Sequence, residues 1–181
     1  TLDEFSLFVT KDKTFTPNSP YYEEIVGNHC SSSMVMAFQQ IIDLSYPAGL
    51  RPTTKRQGLL KFPDGIETPP SESSTTPNQW YSDQVLKVNS RDAIFAGYAS
   101  LDKGDIVMKD TKSGGHTRMV SRVEVSKTML GKINPGTSYV YCVEQTNAWY
   151  DNNKNSTWWI DKKYSFTQLY NDSFMPVTLC I

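Results

Sequence analysis

The sequence predicts an α+β domain, with one strong helix near its start and several antiparallel strands after it. Three observations carry this. Met34, Ala37, Phe38 and Ile41 recur at i, i+3, i+4 and i+7 within residues 28–44, the stripe of an amphipathic helix. Residues 117–125 alternate, with Met119, Val123 and Val125 on one side and Arg118, Arg122 and Glu124 on the other, the period of a half-buried strand. Asn134-Pro135-Gly136 then turns the chain back into a second strand-like run, Ser138 to Gln145. A helix followed by such hairpins buries its stripe against an antiparallel sheet.

The elements follow in order. Residues 1–20 form an irregular opening with a short strand at Phe5 to Val9, and Pro17 and Pro20 bracket a turn. In the helix of residues 28–44, Asn28 or Ser31 caps the start and Pro47 prevents continuation. Residues 47–98 break the pattern. From Pro63 to Gln79, prolines 63, 69, 70 and 77 stand among Ser, Thr and Glu, which reads as a long surface excursion. Trp80 and Tyr81 follow it, then a short helix from Ser82 to Val88 with Ser82 as cap. Gly104 to Met108, 117–125 and Ser138 to Gln145 are strands. A further pair is expected at Thr157 to Ile160 and Met175 to Ile181, with a helical turn in Tyr164 to Tyr170 between them. No repeat or second domain is visible, so residues 1–181 are expected to form one domain with 47–98 as an insertion or lid.

Composition narrows the function. A chain of 181 residues can bury the core of one domain, and its net charge of −1 supplies no field toward nucleic acid or an anionic membrane. No apolar run is long enough to span a bilayer. Residue 1 is Thr and no signal peptide is visible, so a mature form or a domain of a longer protein is expected. The three cysteines, Cys30, Cys142 and Cys180, show no metal-ligand spacing. A Cys142–Cys180 bridge is open; the plainer reading makes Cys142 a buried small hydrophobe. Tyr, Ser, Thr and Asn are plentiful, as in many exported bacterial proteins.

The chemistry centres on Cys30, in Gly27-Asn28-His29-Cys30-Ser31-Ser32-Ser33. It lies four residues before Met34 and shares the inward face at the first turn of the helix. A free thiol near pKa 8.5 is mostly protonated at neutral pH; a helix N-terminus and an imidazole both favour the thiolate. Backbone N–H groups at that helix start can also receive an oxyanion. The alternative is an inert buried cysteine. Of the two histidines, His29 is adjacent to Cys30 and cannot face it from the same helix. His116 follows Gly114-Gly115 at a strand start, which lets the backbone turn tightly, and it has the parity of Arg118 and Arg122. It is expected to face away from the apolar layer, toward helix and cleft; otherwise it is a solvated loop residue. The third group is Glu144 in Tyr141-Cys142-Val143-Glu144-Gln145, because a charge inside an apolar strand needs a partner. Gln145 points the other way and competes for the role; Asp105 reads as a turn residue. Such a thiol, base and orienting group together perform covalent hydrolysis.

The helix-start Cys30-Ser31-Ser32, the Gly104-Asp105-Ile106-Val107 strand, Gly115-His116 entering a β-run and Val143-Glu144-Gln145 stand in the order of the NlpC/P60 superfamily. The Tyr164-to-Thr178 segment is similar to its closing strand. The resemblance covers roughly residues 22–46 and 99–181. His29 stands where that superfamily often has Asp, and Asn147 falls one place later than in the Glu-Gln-Asn pattern of its CHAP branch. The resemblance implies a papain-like fold, with the Cys30 helix packed on an antiparallel sheet or half-barrel. It implies Cys30 as nucleophile, His116 as base, and Glu144 in a CHAP-like third position. It implies peptidoglycan or another peptide as substrate, no cofactor or metal, and a bacterial extracellular or envelope location, with further domains expected in a longer secreted protein. Ser31, Trp80, Tyr81 and Trp149 are the expected substrate contacts, since aromatic rings at loops and strand ends stack on sugars or line a peptide groove. Two alternatives stand beside this reading: a transglutaminase-like acyltransferase, whose usual aspartate is lacking, and a non-catalytic wall-binding module on the same scaffold.

Overall fold

The structure is a computed structural model that describes Cys30, Met34 and residues 60–70, 80–112, 114–146 and 157–179. Its centre is a six-stranded antiparallel sheet. The strands are β1 (Leu60–Lys61), β2 (Ile106–Thr111), β3 (Gly114–Glu124), β4 (Tyr139–Thr146), β5 (Thr157–Ser165) and β6 (Met175–Leu179), in the order β1-β6-β2-β3-β4-β5. Three helices with described bounds accompany it: α1 (Ser82–Val88), α2 (Arg91–Ala99) and α3 (Phe166–Asn171). Helices packed on an antiparallel sheet make this an α+β fold.

Both faces of the sheet are apolar, because successive residues of a strand point to opposite faces. Ile106 and Met108 of β2 join Met175 and Val177 of β6, Val85 of α1, Phe62 and Met34 in one core cluster. Val107, between them on β2, belongs to a second cluster with Val120, Val140 and Cys142. Ile94, Phe95 and Tyr98 of α2 and Phe166 and Leu169 of α3 complete that second layer. Cys30 and Met34 are helical, and Met34 is buried in the first cluster.

Several expectations change. The alternation assigned to residues 117–125 is interrupted, since the β3–β4 register shifts between Val120 and Arg122. Met119 packs against the first cluster and Val123 against the second, so they do not share a side. The described parts of 47–98 are not a surface excursion. β1 pairs with β6, Phe62, Pro63 and Pro69 are buried, and Ile66 packs against both clusters. Two helices of that region, α1 and α2, carry core residues. Proline lacks an N–H donor but can be buried where none is needed: Pro63 opens a turn whose Ile66 N–H donates to its carbonyl at 3.2 Å, and Pro69 is buried outside any strand. Asn89 holds this turn: its Oδ1 accepts the Glu67 N–H at 2.8 Å, and its Nδ2 donates to Glu67 O and Val85 O at 2.8 Å each.

Helix α1 has the expected bounds, but Tyr81 is its N-cap, with the Tyr81 N–H donating to Gln84 Oε1 at 3.0 Å. Ser82 is instead buried and accepts the Asp110 N–H of β2 at 2.8 Å, fixing helix to sheet. Helix α2 was not expected. Ser90 caps it by accepting the Ala93 N–H at 3.1 Å. Gly97 allows its close approach to β6, where an added Cβ would lie 2.9 Å from Pro176 Cγ. The helical turn expected in 164–170 is α3, capped by Ser165, whose Oγ accepts the Gln168 N–H at 3.1 Å. Cys142 is a free, buried thiol, so it forms no bridge with Cys180, and burial pushes it up to about 12. Residues 1–20, His29, Ser31, Trp149 and Cys180 lie outside the described residues.

Candidate active site

The site forms where β3 and β4 part. Their pairing runs from Glu124↔Tyr139 to Met119↔Val143, and among the described residues it ends there. Beyond that point His116 and Arg118 pair with Lys109 and Val107 of β2, while Glu144 pairs with Trp159 of β5. The side chains then bridge what the backbones no longer join. His116 Nε2 lies 2.7 Å from Glu144 Oε2, and Arg118 Nε donates to the same oxygen at 2.7 Å. The other oxygen, Oε1, accepts from Lys162 Nζ at 2.9 Å and from the Tyr164 hydroxyl. One carboxylate on β4 thus collects four donors, two from β3 and two from β5.

Cys30 completes the chain of contacts, since its side chain is hydrogen-bonded to His116. The two residues come from elements far apart in sequence: Cys30 from the N-terminal helix, His116 from the third residue of β3. The imidazole is held from a further direction by Phe174, whose ring meets it edge-on at 6.2 Å between centroids. Phe174 is itself fixed, because its carbonyl accepts the Tyr98 hydroxyl of α2 and its N–H donates to Leu169 O of α3 at 2.9 Å.

The electrostatics follow from this arrangement. Burial of the fully covered Glu144 side chain opposes its charge, but the hydrogen bonds from His116 and Tyr164, the Arg118 charge and the Lys162 bond outweigh it. The carboxyl is held well below the usual carboxylate range and is an anion throughout the neutral range. For His116, burial favours the neutral ring, yet the Cys30 and Glu144 hydrogen bonds prevail and raise it above the ordinary 6.5, with Arg118 opposing. Burial and the bond to Glu144 also raise the Tyr164 hydroxyl, which keeps it a donor. The arrangement can therefore hold an imidazolium between a thiolate and a carboxylate.

The structure brings Cys30, His116 and Glu144 together. Glu144 rather than Gln145 carries the carboxylate contact to the imidazole. His116 does not face away from the apolar layer; it lies on the face of Val120, at the margin of the second cluster. Trp80 is half-buried against the first cluster, which also contains Met34, and Tyr81 is half-buried at the start of α1. Asp105 is a turn residue, its Oδ2 accepting the Asp102 N–H at 2.8 Å. Arg118, Lys162, Tyr164 and Phe174 were not singled out by sequence. Only the shared parity of Arg118 with His116 pointed to any of them. Among the described residues no group of three or more His, Cys, Asp and Glu has metal-binding geometry. No family model matches this chain, and no significant match was found among curated proteins or solved structures.

Proposed function

We propose that this chain is a papain-like cysteine hydrolase of the NlpC/P60 type, a CHAP-like variant, that cleaves amide bonds in peptidoglycan. The observation that supports it is the continuous hydrogen-bonded chain Cys30–His116–Glu144, with the thiol at a helical position and the carboxylate buried. In this reading the Cys30 thiolate attacks the amide carbonyl and forms a C–S bond. As the tetrahedral intermediate collapses the C–N bond breaks, and the His116 imidazolium gives its proton to the leaving amine. Water then attacks the thioester while neutral His116 takes its proton, and the C–S bond breaks to restore the thiolate. Glu144 does not accept a proton in this scheme; its depressed carboxyl orients the ring and offsets its charge. The mechanism uses no metal or organic cofactor. The bond cut is that of a stem-peptide endopeptidase or an N-acetylmuramoyl-L-alanine amidase, acting outside the cell or in the bacterial envelope.

The test is digestion of purified wall material followed by mass spectrometry of the new termini. An amidase releases peptides beginning with the alanine amine, whereas an endopeptidase creates termini within the stem. Cys30→Ala and His116→Ala should each abolish release while the fold persists, because members of such a unit act together. Undiminished release by Cys30→Ala would overturn the proposal. A thiol-reactive probe separates it from a wall-binding module, in which Cys30 would label no faster than a model thiol.

A further inference from the structure

The Cys30–His116–Glu144 chain accounts for one of four donors on the buried carboxylate. Arg118 is the donor that shares an oxygen with the imidazole. Its Nε and His116 Nε2 both stand 2.7 Å from Glu144 Oε2. Its guanidinium carbon lies 3.8 Å from the Tyr164 ring centroid and 3.9 Å from that of Phe174, so the plane is held between two rings. Nη1 is buried without a hydrogen-bond partner, and the aromatic faces supply the compensation that water would otherwise give. Phe174 also touches the His116 ring, and Tyr164 also bonds Glu144. One cation therefore contacts both the carboxylate and the aromatic ring that hold the imidazole, Glu144 and Phe174.

We propose that Arg118 is a positioning residue of the Cys30–His116 pair: it locks the Glu144 carboxylate through the oxygen that His116 uses, and its charge limits how strongly that carboxylate retains the imidazolium proton. This rests on the hydrolase reading and deepens it. A lone buried carboxylate would bind the imidazolium tightly and make His116 a reluctant acid toward the leaving amine. Sharing Oε2 with a fixed cation weakens that hold without removing the orientation. Arg118 indeed opposes the rise of His116. The other charged or titratable groups around the ring are Cys30 on the helix, Lys109 opposite it on β2, Glu144 on β4, and Lys162 and Tyr164 on β5.

The experiment follows alkylation of Cys30 by iodoacetamide against pH, read by mass spectrometry of its peptide in the whole chain. Cys142 and Cys180 are counted separately. The wild type should show a low inflection for thiolate formation and a higher one for loss of the imidazolium. In Arg118→Met the higher inflection should move up by about one pH unit, the scale of one nearby charge. Arg118→Gln removes the charge but keeps a donor for Oε2; it should shift the inflection similarly while keeping more of the wild-type plateau rate. It also carries the test if the methionine variant does not fold. Lys162→Met, acting on Oε1, should move the inflection less. A purely structural Arg118 would lower the melting temperature and leave the inflection where it was, and that result overturns the proposal. A wild-type profile with one ordinary thiol inflection would instead remove the thiolate–imidazolium pair and the hydrolase reading with it.

Discussion

Replacing Glu144 by Gln tests the site at its most connected atom pair. The amide keeps one acceptor and brings a donor where the carboxylate had a second oxygen. If its oxygen stays toward His116 and Arg118, its NH2 group meets Lys162 and the Tyr164 hydroxyl. Tyr164 can rotate its O–H and accept. Lys162, whose side chain is 37% exposed, can turn to water at little cost. Arg118, 11% exposed and stacked between rings, cannot leave and loses a charged acceptor. That loss sets the cost at about 2 kcal/mol. Glu144→Ala removes both oxygens and should cost about 3–5 kcal/mol, as for a buried charge deprived of its partner. Melting temperatures should fall by roughly 4–8 °C for the glutamine variant and about twice that for alanine. The pH dependence has a definite sign. The folded carboxyl is held below its ordinary 4.5, so its contribution is complete above that value and is lost as pH falls toward the lowered one. Urea unfolding of wild type and Glu144→Gln should therefore differ most at pH 6–7 by about 2 kcal/mol, and the gap should narrow below 4.5. A difference under about 0.5 kcal/mol at pH 7, the scale of an ordinary surface change, would show that Glu144 is not the hub of a buried network.

Gly97→Ala gains helix propensity of about 1 kcal/mol but overpacks by about 1–3 kcal/mol. Its Cβ meets Pro176 Cγ at 2.9 Å and Ile66 Cδ1 at 3.1 Å, so urea unfolding should show a net loss. Asn89→Ala breaks three hydrogen bonds at 2.8 Å; it should cost about 2 kcal/mol and speed proteolysis near Glu67. Ser82→Ala removes the acceptor of the buried Asp110 N–H, so it should cost about 1–2 kcal/mol and raise exchange at that amide.

What the sequence made legible was whatever obeys a local rule. Glu144 stood out because a charge in an apolar strand demands a partner, and it has four. The turn at Asn134 was visible from its residues, and its Oδ1 accepts the Gly136 N–H at 3.2 Å. Helix α2 was not expected, although the Ser90 cap, Asp92 and the Ile94, Phe95 and Tyr98 stripe are local signals for it, because most of it falls within the 47–98 stretch assigned to the insertion. The cluster around Glu144 was not legible. Lys162 and Tyr164 stand on a strand separated from β4 by residues of no clear pattern, and Phe174 reaches the site only through the turn at Ser173, with φ of 63°. These contacts depend on register, and register is a property of paired strands, not of either one alone.

The ambiguity between Glu144 and Gln145 shows how much register decides. From the turn at Asn134 the hairpin is set by Glu124↔Tyr139, Val123↔Val140 and Arg122↔Tyr141. Continued without interruption, that register would set Met119 opposite Glu144 and Arg118 opposite Gln145. Glu144 would then share the face of Met119, among the apolar side chains of the first cluster, and the amide would share the face of His116. Ser121 intervenes as the extra residue of a β-bulge, after which Val120 pairs with Cys142 and Met119 with Val143. The bulge moves Glu144 onto the face of His116 and Arg118. A second bulge lies across β4, where Ile160 and Asp161 together oppose Val143, with Asp161 at φ of 54°. It sets Trp159 opposite Glu144 and leaves Ile160 79% exposed. Lys162 Nζ then lies 4.8 Å from the Trp159 ring while it bonds Oε1. The Ser121 hydroxyl donates to Asp161 Oδ1 at 2.5 Å, tying the two irregularities to each other over β4. One extra residue in β3 thus determines which of two neighbouring side chains holds the histidine, and a strand alternation read alone has no means of showing it.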